Sequence, residues 1–557
     1  MLVGAIPAAV ALLADRSRFA RIPFIGTLEQ RVNTVSDVAI LGWIAVAIIF
    51  LALVKLVYFY ALNRVILQTI YNIRVRLSRW IFESYMYAPW PFHLEHHSSE
   101  LLRNSTTEIY EVVGGVIQPI LNVMFGMVMA GFVLIMIIGA LPIQAFLAFA
   151  ITIAAAGALL MLLRKSLEME GESAKLERKR MLSSVQEGLA NLIDARLLSR
   201  EGWFISRFMT SASRFSTSQN RIFFVSRMLP YAIEFVSIGG LMIVVFLLAR
   251  QSGDLKTILP QITLIGIGLV RLRQAVSTVS SNVAKIQYSL PSLQNVYDHT
   301  VALKELIEEP DTTTERCEFK DAIDVINLGF VYPQREEPVL NGVNLSIAKG
   351  SSIAFVGETG CGKSTLLQVL LGLLAPTTGC ITVDGVDVRR QLRRWRNLIG
   401  YVPQQIHLLD ATIEQNIVMG ETETDQRRLK QAIRIAQLDD VLAGQPDGLQ
   451  TIVGEDGTRL SGGQRQRIGL ARSLYREPEL IILDEATSAL DYQTEAAITK
   501  ALNSIPWVAT KVIVAHRLST VQNCDMIVIL KDGQISDTGT FAALCERNHT
   551  FAAGAAG

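Results

Sequence analysis

Gly357-Glu358-Thr359-Gly360-Cys361-Gly362-Lys363-Ser364-Thr365 is the stretch on which the reading of this chain turns. It fits G-x-x-x-x-G-K-[ST], a loop whose glycines let successive backbone N–H groups turn toward a polyphosphate. In that pattern Lys363 supplies a mobile positive charge and Ser364 a hydroxyl for Mg²⁺. The loop alone says only "nucleotide", with GTPases and kinases still open. Two later runs narrow it: Leu460-Ser461-Gly462-Gly463-Gln464, then Leu480-Ile481-Ile482-Leu483-Asp484-Glu485. The last is a short apolar run suited to a buried parallel strand. Carboxylates at the C-terminal edge of such a strand face the nucleotide crevice of an α/β sheet. A glycine-rich turn or a pair of solvated acids would account for one run, not for three in this order.

At 557 residues the chain is too long for one core, and two or three domains are expected. Half of its residues are hydrophobic, 18% are charged and the mean hydropathy is +0.34, too apolar for an ordinary soluble enzyme. The net charge of +1 leaves no basic excess for a nucleic-acid partner. Five cysteines, all from Cys317 onward and without a C-x-x-C pair, read as reduced cytosolic thiols rather than a disulfide or metal framework. A bilayer span needs about 20 mostly apolar residues. Val38–Tyr60, Ile120–Gly139, Ile143–Leu163, Tyr231–Ala249 and Ile258–Ser280 qualify. Beyond them the pattern changes to alternating strand and helix segments with turn residues between. The expected organisation is an all-α transmembrane domain over 1–288, a linker over 289–320, an α/β P-loop ATPase over 321–545 and a tail over 546–557.

The second run, Leu460–Gln464, resembles the signature of ATP-binding cassette (ABC) ATPases, and the chain is identified on it as a member of that superfamily. The resemblance implies that the nucleotide is ATP with Mg²⁺, bound by Gly357, Glu358, Thr359, Gly360, Cys361, Gly362, Lys363, Ser364 and Thr365. Asp484 and Ser364 would hold Mg²⁺, and Glu485 would polarise the attacking water. Tyr332, 25 residues ahead of Gly357, resembles the aromatic that stacks on adenine. Gln404, in Tyr401-Val402-Pro403-Gln404, resembles the loop glutamine that senses Mg²⁺ and the γ-phosphate. His516 resembles the switch histidine, and Ser488-Ala489-Leu490-Asp491 the loop crossing the dimer interface. Ser461, Gly462, Gly463 and Gln464 would face the γ-phosphate held by a second copy, so a homodimer is expected. Thr451–Gly457 resembles the exporter segment that meets the membrane domain's loops.

In exporters of this kind six spans per subunit are usual, so the five runs are joined by Met1–Leu13 as a truncated first span. At 1.5 Å per residue that fragment covers about 20 Å of a ~30 Å hydrocarbon core. Lys and Arg are dense over 164–214 and 64–103, which places those segments and the cassette in the cytoplasm of a cell inner membrane. The candidate coupling loops are Ala88–Thr107 and Gln186–Phe208. His93-Leu94-Glu95-His96-His97, in the first, reads as a polar contact loop rather than a metal site.

Ionisable residues within spans face a cavity or a partner. Glu234, Arg271 and Arg273 are therefore candidates for substrate contact, as a cationic wall for an anionic headgroup. The alternative is a Glu–Arg pair joining two helices, with Arg271 on Glu234. Phe92–Tyr110, Leu229–Ala249 and Leu269–Arg271 resemble lipid-linked oligosaccharide flippases of the PglK type. That implies ATP-driven export of a polyprenyl-diphosphate-linked glycan, a diphosphate suiting arginine. A multidrug, lipid or peptide exporter is the alternative, and the fused spans and the lack of basic excess argue against a soluble ABC ATPase working on DNA or ribosomes.

Overall fold

Long uninterrupted helices fill the first half of the chain, as the apolar runs require. The computed structural model describes residues 37–138, 143–252, 255–306, 313–333, 335–486, 491–515, 521–548 and 551–552. Helix α1 is Asp37–Met86 and α2 the short Trp90–Glu95. Helix α3 is a contiguous run over 98–138, with π turns at Asn104–Glu108 and Val113–Ile117. Helices α4 (Ile143–Ala190), α5 (Leu192–Leu197), α6 (Glu201–Ser252) and α7 (Leu255–Leu306) follow. A helix of 52 residues, such as α6 or α7, is about 78 Å long, far more than the ~30 Å hydrocarbon core. Each expected span is therefore one part of a longer rod. Among the described residues, Ala45–Met86 (hydropathy 2.4) and Ser98–Phe132 (1.8) are long and apolar enough to cross a membrane. The truncated span at Met1–Leu13 lies outside the described residues.

Helix α7 packs along α3, α4 and α6. Its approach to α3 is close: a Cβ on Gly115 would lie 2.0 Å from the Ser289 hydroxyl. Small residues let helix backbones meet in this way. Beyond the apolar runs, the same helices are tied by charge. Glu108, 4% exposed, sits 3.3 Å from the Arg103 Nε. Glu111 accepts from Arg178 of α4 and, at 2.8 Å, from Ser292 of α7. Lys175 donates to the Pro291 carbonyl at 2.9 Å, and burial pushes its pKa down. Buried charges are costly unless paired, so these contacts fix which faces of α3, α4 and α7 meet.

The second half builds two sheets. An antiparallel sheet, in order β2-β1-β4-β5, uses Leu340–Ala348, Ala322–Phe330, Thr378–Val383 and Val386–Asp387. The larger sheet runs β10-β9-β3-β8-β7-β6. Its strands are Gln534–Gly539, Met526–Lys531, Ser352–Val356, Thr510–Val514, Leu480–Asp484 and Ile399–Val402. All of its pairings are parallel except β10 with β9. Strands covered on both faces read as continuous apolar runs. Accordingly β3 (SIAFV) and β7 (LIILD) are buried over their first four residues.

Helices α8 (Lys363–Leu370), α9 (Gln426–Ile435), α10 (Gly462–Leu474) and α11 (Tyr492–Asn503) belong to this half. Leu366, Leu367 and Leu370 of α8 pack with Ile353, Phe355, Ile482 and Trp395. The Trp395 indole, fully buried, donates to the Leu370 carbonyl at 2.8 Å. A second core joins Leu429 and Ile433 of α9 to Ile468 and Leu474 of α10.

By contacts the chain divides into two compact units. One comprises 1–88 and 96–308; the other comprises 89–95 and 309–557, so α2 groups with the sheets.

Candidate nucleotide site

Strand β3 ends at Val356 and α8 begins at Lys363, leaving six residues to reverse direction. Gly362 is left-handed at φ 104°, and a Cβ there would lie 2.9 Å from the Val339 carbonyl oxygen. Only glycine satisfies both conditions cheaply. Lys363 is buried, 7% exposed, and its ammonium donates to the Gly357 carbonyl at 2.6 Å and the Glu358 carbonyl at 2.9 Å. Its charge is thereby held within the loop. Ser364 is exposed in the first turn of α8, whereas Thr365 is buried and shares a 3.2 Å hydrogen bond with the Tyr332 hydroxyl. The Tyr332 ring stands edge-on to Phe330 with centroids 4.9 Å apart. Glu358, Thr359 and Gly360 are exposed, while Cys361 is buried in the core beneath the loop.

Asp484 ends β7 between β6 and β8. The Tyr401 hydroxyl of β6 donates to Asp484 Oδ2 at 3.4 Å. Burial first, and the Asp484 charge second, push the Tyr401 phenol far up, so it stays a donor. Glu485 leaves the strand in a left-handed turn, φ 50°, while its N–H donates to the Val514 carbonyl at 2.9 Å. Its Oε2 accepts from Gln404 Nε2 at 2.9 Å. A non-glycine residue at positive φ is uncommon and clusters at functional sites.

These groups open on one cavity of about 950 Å³. Tyr332, Thr359, Gly360, Gly362, Lys363, Ser364, Thr365, Gln404 and Glu485 line it, joined by Pro91, Leu94 and Glu95 from α2 of the same unit. Gly357, Glu358, Cys361 and Asp484 belong to the same loop and strand without lining the cavity. The oxygen donors present, the Ser364 hydroxyl, the Asp484 carboxylate and the Gln404 amide, are of the kind that suits Mg²⁺. No grouping of three or more His, Cys, Asp or Glu placed to hold a metal occurs among the described residues.

Ser461, Gly462, Gly463 and Gln464 do not line this cavity. They form the N-terminus of α10, closed by a reciprocal capping box. Gln464 N–H donates to the Ser461 hydroxyl at 3.2 Å, and Ser461 N–H donates to the Gln464 side chain at 2.8 Å. The S-x-x-Q spacing carried that signal in the sequence, and the motif reading passed over it. Asp491 caps α11 by accepting from Thr494 N–H at 2.9 Å, and those bonds hold its carboxyl below the usual range. His516 and Ser488–Leu490 lie outside the described residues.

In the membrane unit the pairing differs from the expected alternative. Arg273, not Arg271, donates to Glu234, at 2.6 Å, joining α7 to α6. Arg271 is exposed and donates to Gln274 on its own helix at 3.2 Å. Residues two apart point about 200° apart around a helix, so only one of the two arginines can reach α6.

Comparison with known proteins adds four findings. The ABC transporter family model matches residues 340–488. The ATP-dependent lipid A-core flippase of Saccharophagus degradans is 28% identical over 548 residues, covering 95% of this chain and 90% of that protein. The lipid A-core flippase of Pseudomonas fluorescens is 29% identical over 501 residues, covering 88% and 81%. A solved structure of a bacterial Atm1-family ABC exporter with ATP bound superposes with a TM-score of 0.83 at 21% identity, over 100% of this chain and 98% of the other. The last establishes the fold: a helical membrane domain followed by an α/β ABC cassette. With the cassette motifs, these findings give an ABC transporter ATPase coupled to transport, in a chain that is similar along most of its length to exporters carrying that ATPase on their own membrane domain.

Proposed function

We propose that the chain works as a homodimeric, ATP-driven flippase of amphipathic lipids in the inner membrane. The observation that carries this is the division of the cassette's motifs. Tyr332, the phosphate loop, Gln404 and Glu485 share one cavity, and Ser461–Gln464 lie outside it at the start of α10. A helix N-terminus is a ready anion site. A second copy placed head to tail would bring its α10 to the γ-phosphate of this one.

Within one cassette, the loop N–H groups and Lys363 bind the phosphates and Tyr332 stacks on the base. Ser364, Asp484 and Gln404 would hold Mg²⁺, which supplies charge neutralisation on the phosphate oxygens. Glu485 orients the attacking water and accepts its proton, while Gln404 holds the carboxylate in place through the 2.9 Å bond. His516 contacts the γ-phosphate in this reading.

An amphipathic lipid substrate is favoured by the relatives along most of the chain, both named lipid A-core flippases. The finer reading, a polyprenyl-diphosphate glycan contacted by Arg271, rests on the sequence likeness of the membrane half. Reconstitution into liposomes tests both. Fluorescent amphipathic lipids should be flipped with ATP and not with the Glu485→Gln protein, and a polyprenyl-diphosphate glycan should stimulate ATPase more than a neutral lipid. Soluble drugs or peptides stimulating ATPase while no lipid is flipped would overturn the proposal.

A further inference from the structure

Strand β6 lies at the edge of the larger sheet and is hydrogen-bonded to β7 alone. Tyr401 pairs with Ile482 in that ladder, so Asp484, two residues further along β7, is on the same face. Strands about 4.8 Å apart, rising about 3.3 Å per residue, put the two Cα atoms about 8 Å apart, a diagonal that a tyrosine side chain bridges. The ring packs against the core that underlies the phosphate loop, and the hydroxyl donates to Asp484 Oδ2 at 3.4 Å. Asp484 is its one hydrogen-bond partner among the described residues. Packing does not call for that hydroxyl, because phenylalanine would fill the same space with no polar group to satisfy. A phenol, with an ordinary pKa of about 10, is a donor at neutral pH. Its bond to a carboxylate belongs to the stronger, charge-assisted class.

The same segment holds the neighbouring acid. Three residues beyond Tyr401, Gln404 donates to Glu485 Oε2 at 2.9 Å. The two consecutive carboxylates at the end of β7 are thus each gripped from β6 and its continuation, by a phenol on Asp484 and an amide on Glu485. A hydrogen bond on one oxygen fixes the plane of a carboxylate, and with it the direction in which it offers oxygen to a metal. Metal-binding carboxylates are themselves hydrogen-bonded, and losing such an outer partner lowers metal affinity or activity roughly 10–100-fold. The usual O–H···O range is about 2.5–3.0 Å, so the Tyr401 bond is long. Bonds within catalytic sites are often long before substrate enters and tighten afterwards.

We propose that Tyr401 is a positioning residue for Mg²⁺, its hydroxyl setting the orientation in which the Asp484 carboxylate meets the ion. Tyr401 does not line the nucleotide cavity, so it acts through Asp484 and not on ATP itself. The proposal rests on the assignment of Asp484 to Mg²⁺ given above and deepens it. It separates metal affinity from nucleotide affinity: the phosphate loop and Tyr332 hold ATP, while the phenol governs how strongly the bound nucleotide retains its metal.

The test uses the full chain in phosphatidylcholine nanodiscs, a fluorescent non-hydrolysable ATP analogue, and Mn²⁺ as a paramagnetic probe of the Mg²⁺ position. Electron paramagnetic resonance counts Mn²⁺ on the analogue-loaded protein, and fluorescence titration in EDTA gives the metal-free affinity for the analogue. Tyr401→Phe removes one oxygen and keeps the ring. It should lower Mn²⁺ affinity about tenfold, with melting temperature unchanged and the EDTA affinity within about twofold. The Mg²⁺ concentration giving half-maximal ATPase should rise by a similar factor, and saturating Mg²⁺ should restore most of the rate. Asp484→Asn should lose more Mn²⁺ affinity, and adding Tyr401→Phe to it should cost less than about twofold further, because the two act as one unit. If Asp484→Asn loses Mn²⁺ and Tyr401→Phe keeps it within about twofold, the positioning role is overturned and Asp484 remains the ligand. Undiminished Mn²⁺ binding by Asp484→Asn overturns the metal assignment and the proposal with it. A fall in EDTA affinity or melting temperature alongside the Mn²⁺ loss would make the hydroxyl structural and overturn the positioning role, as would a full additional loss in the double variant.

Discussion

Glu485→Gln separates chemistry from architecture at the nucleotide site. Three features of Glu485 are structural: its left-handed φ of 50°, its N–H bond to Val514 and its acceptance of the Gln404 amide. Glutamine keeps all three, since the first two are backbone properties and its amide oxygen can take the Gln404 bond. The change removes the group that accepts the water's proton. General-base contributions run at roughly 10²–10⁴-fold, or about 3–5 kcal/mol of activation free energy. Steady-state ATPase should fall by at least a hundredfold, with melting temperature and ATP affinity unchanged. Size exclusion with ATP should then show a dimer that persists. Glu485→Val is the contrasting variant: a β-branched residue at that φ is strained, so it should lose stability as well as turnover. Turnover of the glutamine variant within threefold of the parent would refute the base assignment. Equal destabilisation in both variants would show that the carboxylate is structural.

Lys363→Ala should weaken ATP binding by one cassette at least tenfold in a fluorescence titration. Ser461→Ala should leave that affinity within about twofold and lower hydrolysis, because it loosens the α10 cap and the partner-facing anion site; equal loss of binding in the two variants would contradict the head-to-tail arrangement. Gly362→Ala should cost about 1–2 kcal/mol in backbone strain alone and displace Val339, abolishing ATP-dependent protection from limited proteolysis. Glu234→Gln or Arg273→Gln should each lower thermal stability in detergent by about 1–2 kcal/mol, with the double variant recovering most of it. Glu234→Gln with Arg271→Gln should show no such recovery.

Contiguous signals were the legible ones. Phosphate recognition is made by successive backbone N–H groups and a helix start, so Gly357–Thr365 announced itself within nine residues. Asp484 and Glu485 were readable because four apolar residues before them specify a strand buried on both faces. The alternation of sheet strands likewise gave the α/β half, and the long apolar runs the helical half. Pairings between distant helices were not legible. Hydropathy states that an arginine interrupts a span and not which way it points, so Arg271 and Arg273 could not be ranked against Glu234. Nor did it reveal that Gln404 and Glu485, 81 residues apart, would hydrogen-bond.

Each π turn in α3 accommodates one more residue than the α-helical hydrogen-bond pattern would, and two lie within fourteen positions, 104–117. The phase of the helix therefore slips by about 100° twice. Residues 98–103 and 118–138 are out of step by about 200°, a little over half a turn, compared with an ideal rod of the same sequence. Heptad or helical-wheel bookkeeping carried across this stretch would assign the wrong faces to everything beyond it. Deleting one residue from each π turn should relax the rod to plain α-helix and rotate Glu111 away from Arg178, whereas the same deletions elsewhere would break the helix's register with no slack to absorb them. The extra residues act as a length reserve: they are the one place in this rod where evolution or an engineer can add or remove backbone without cutting it.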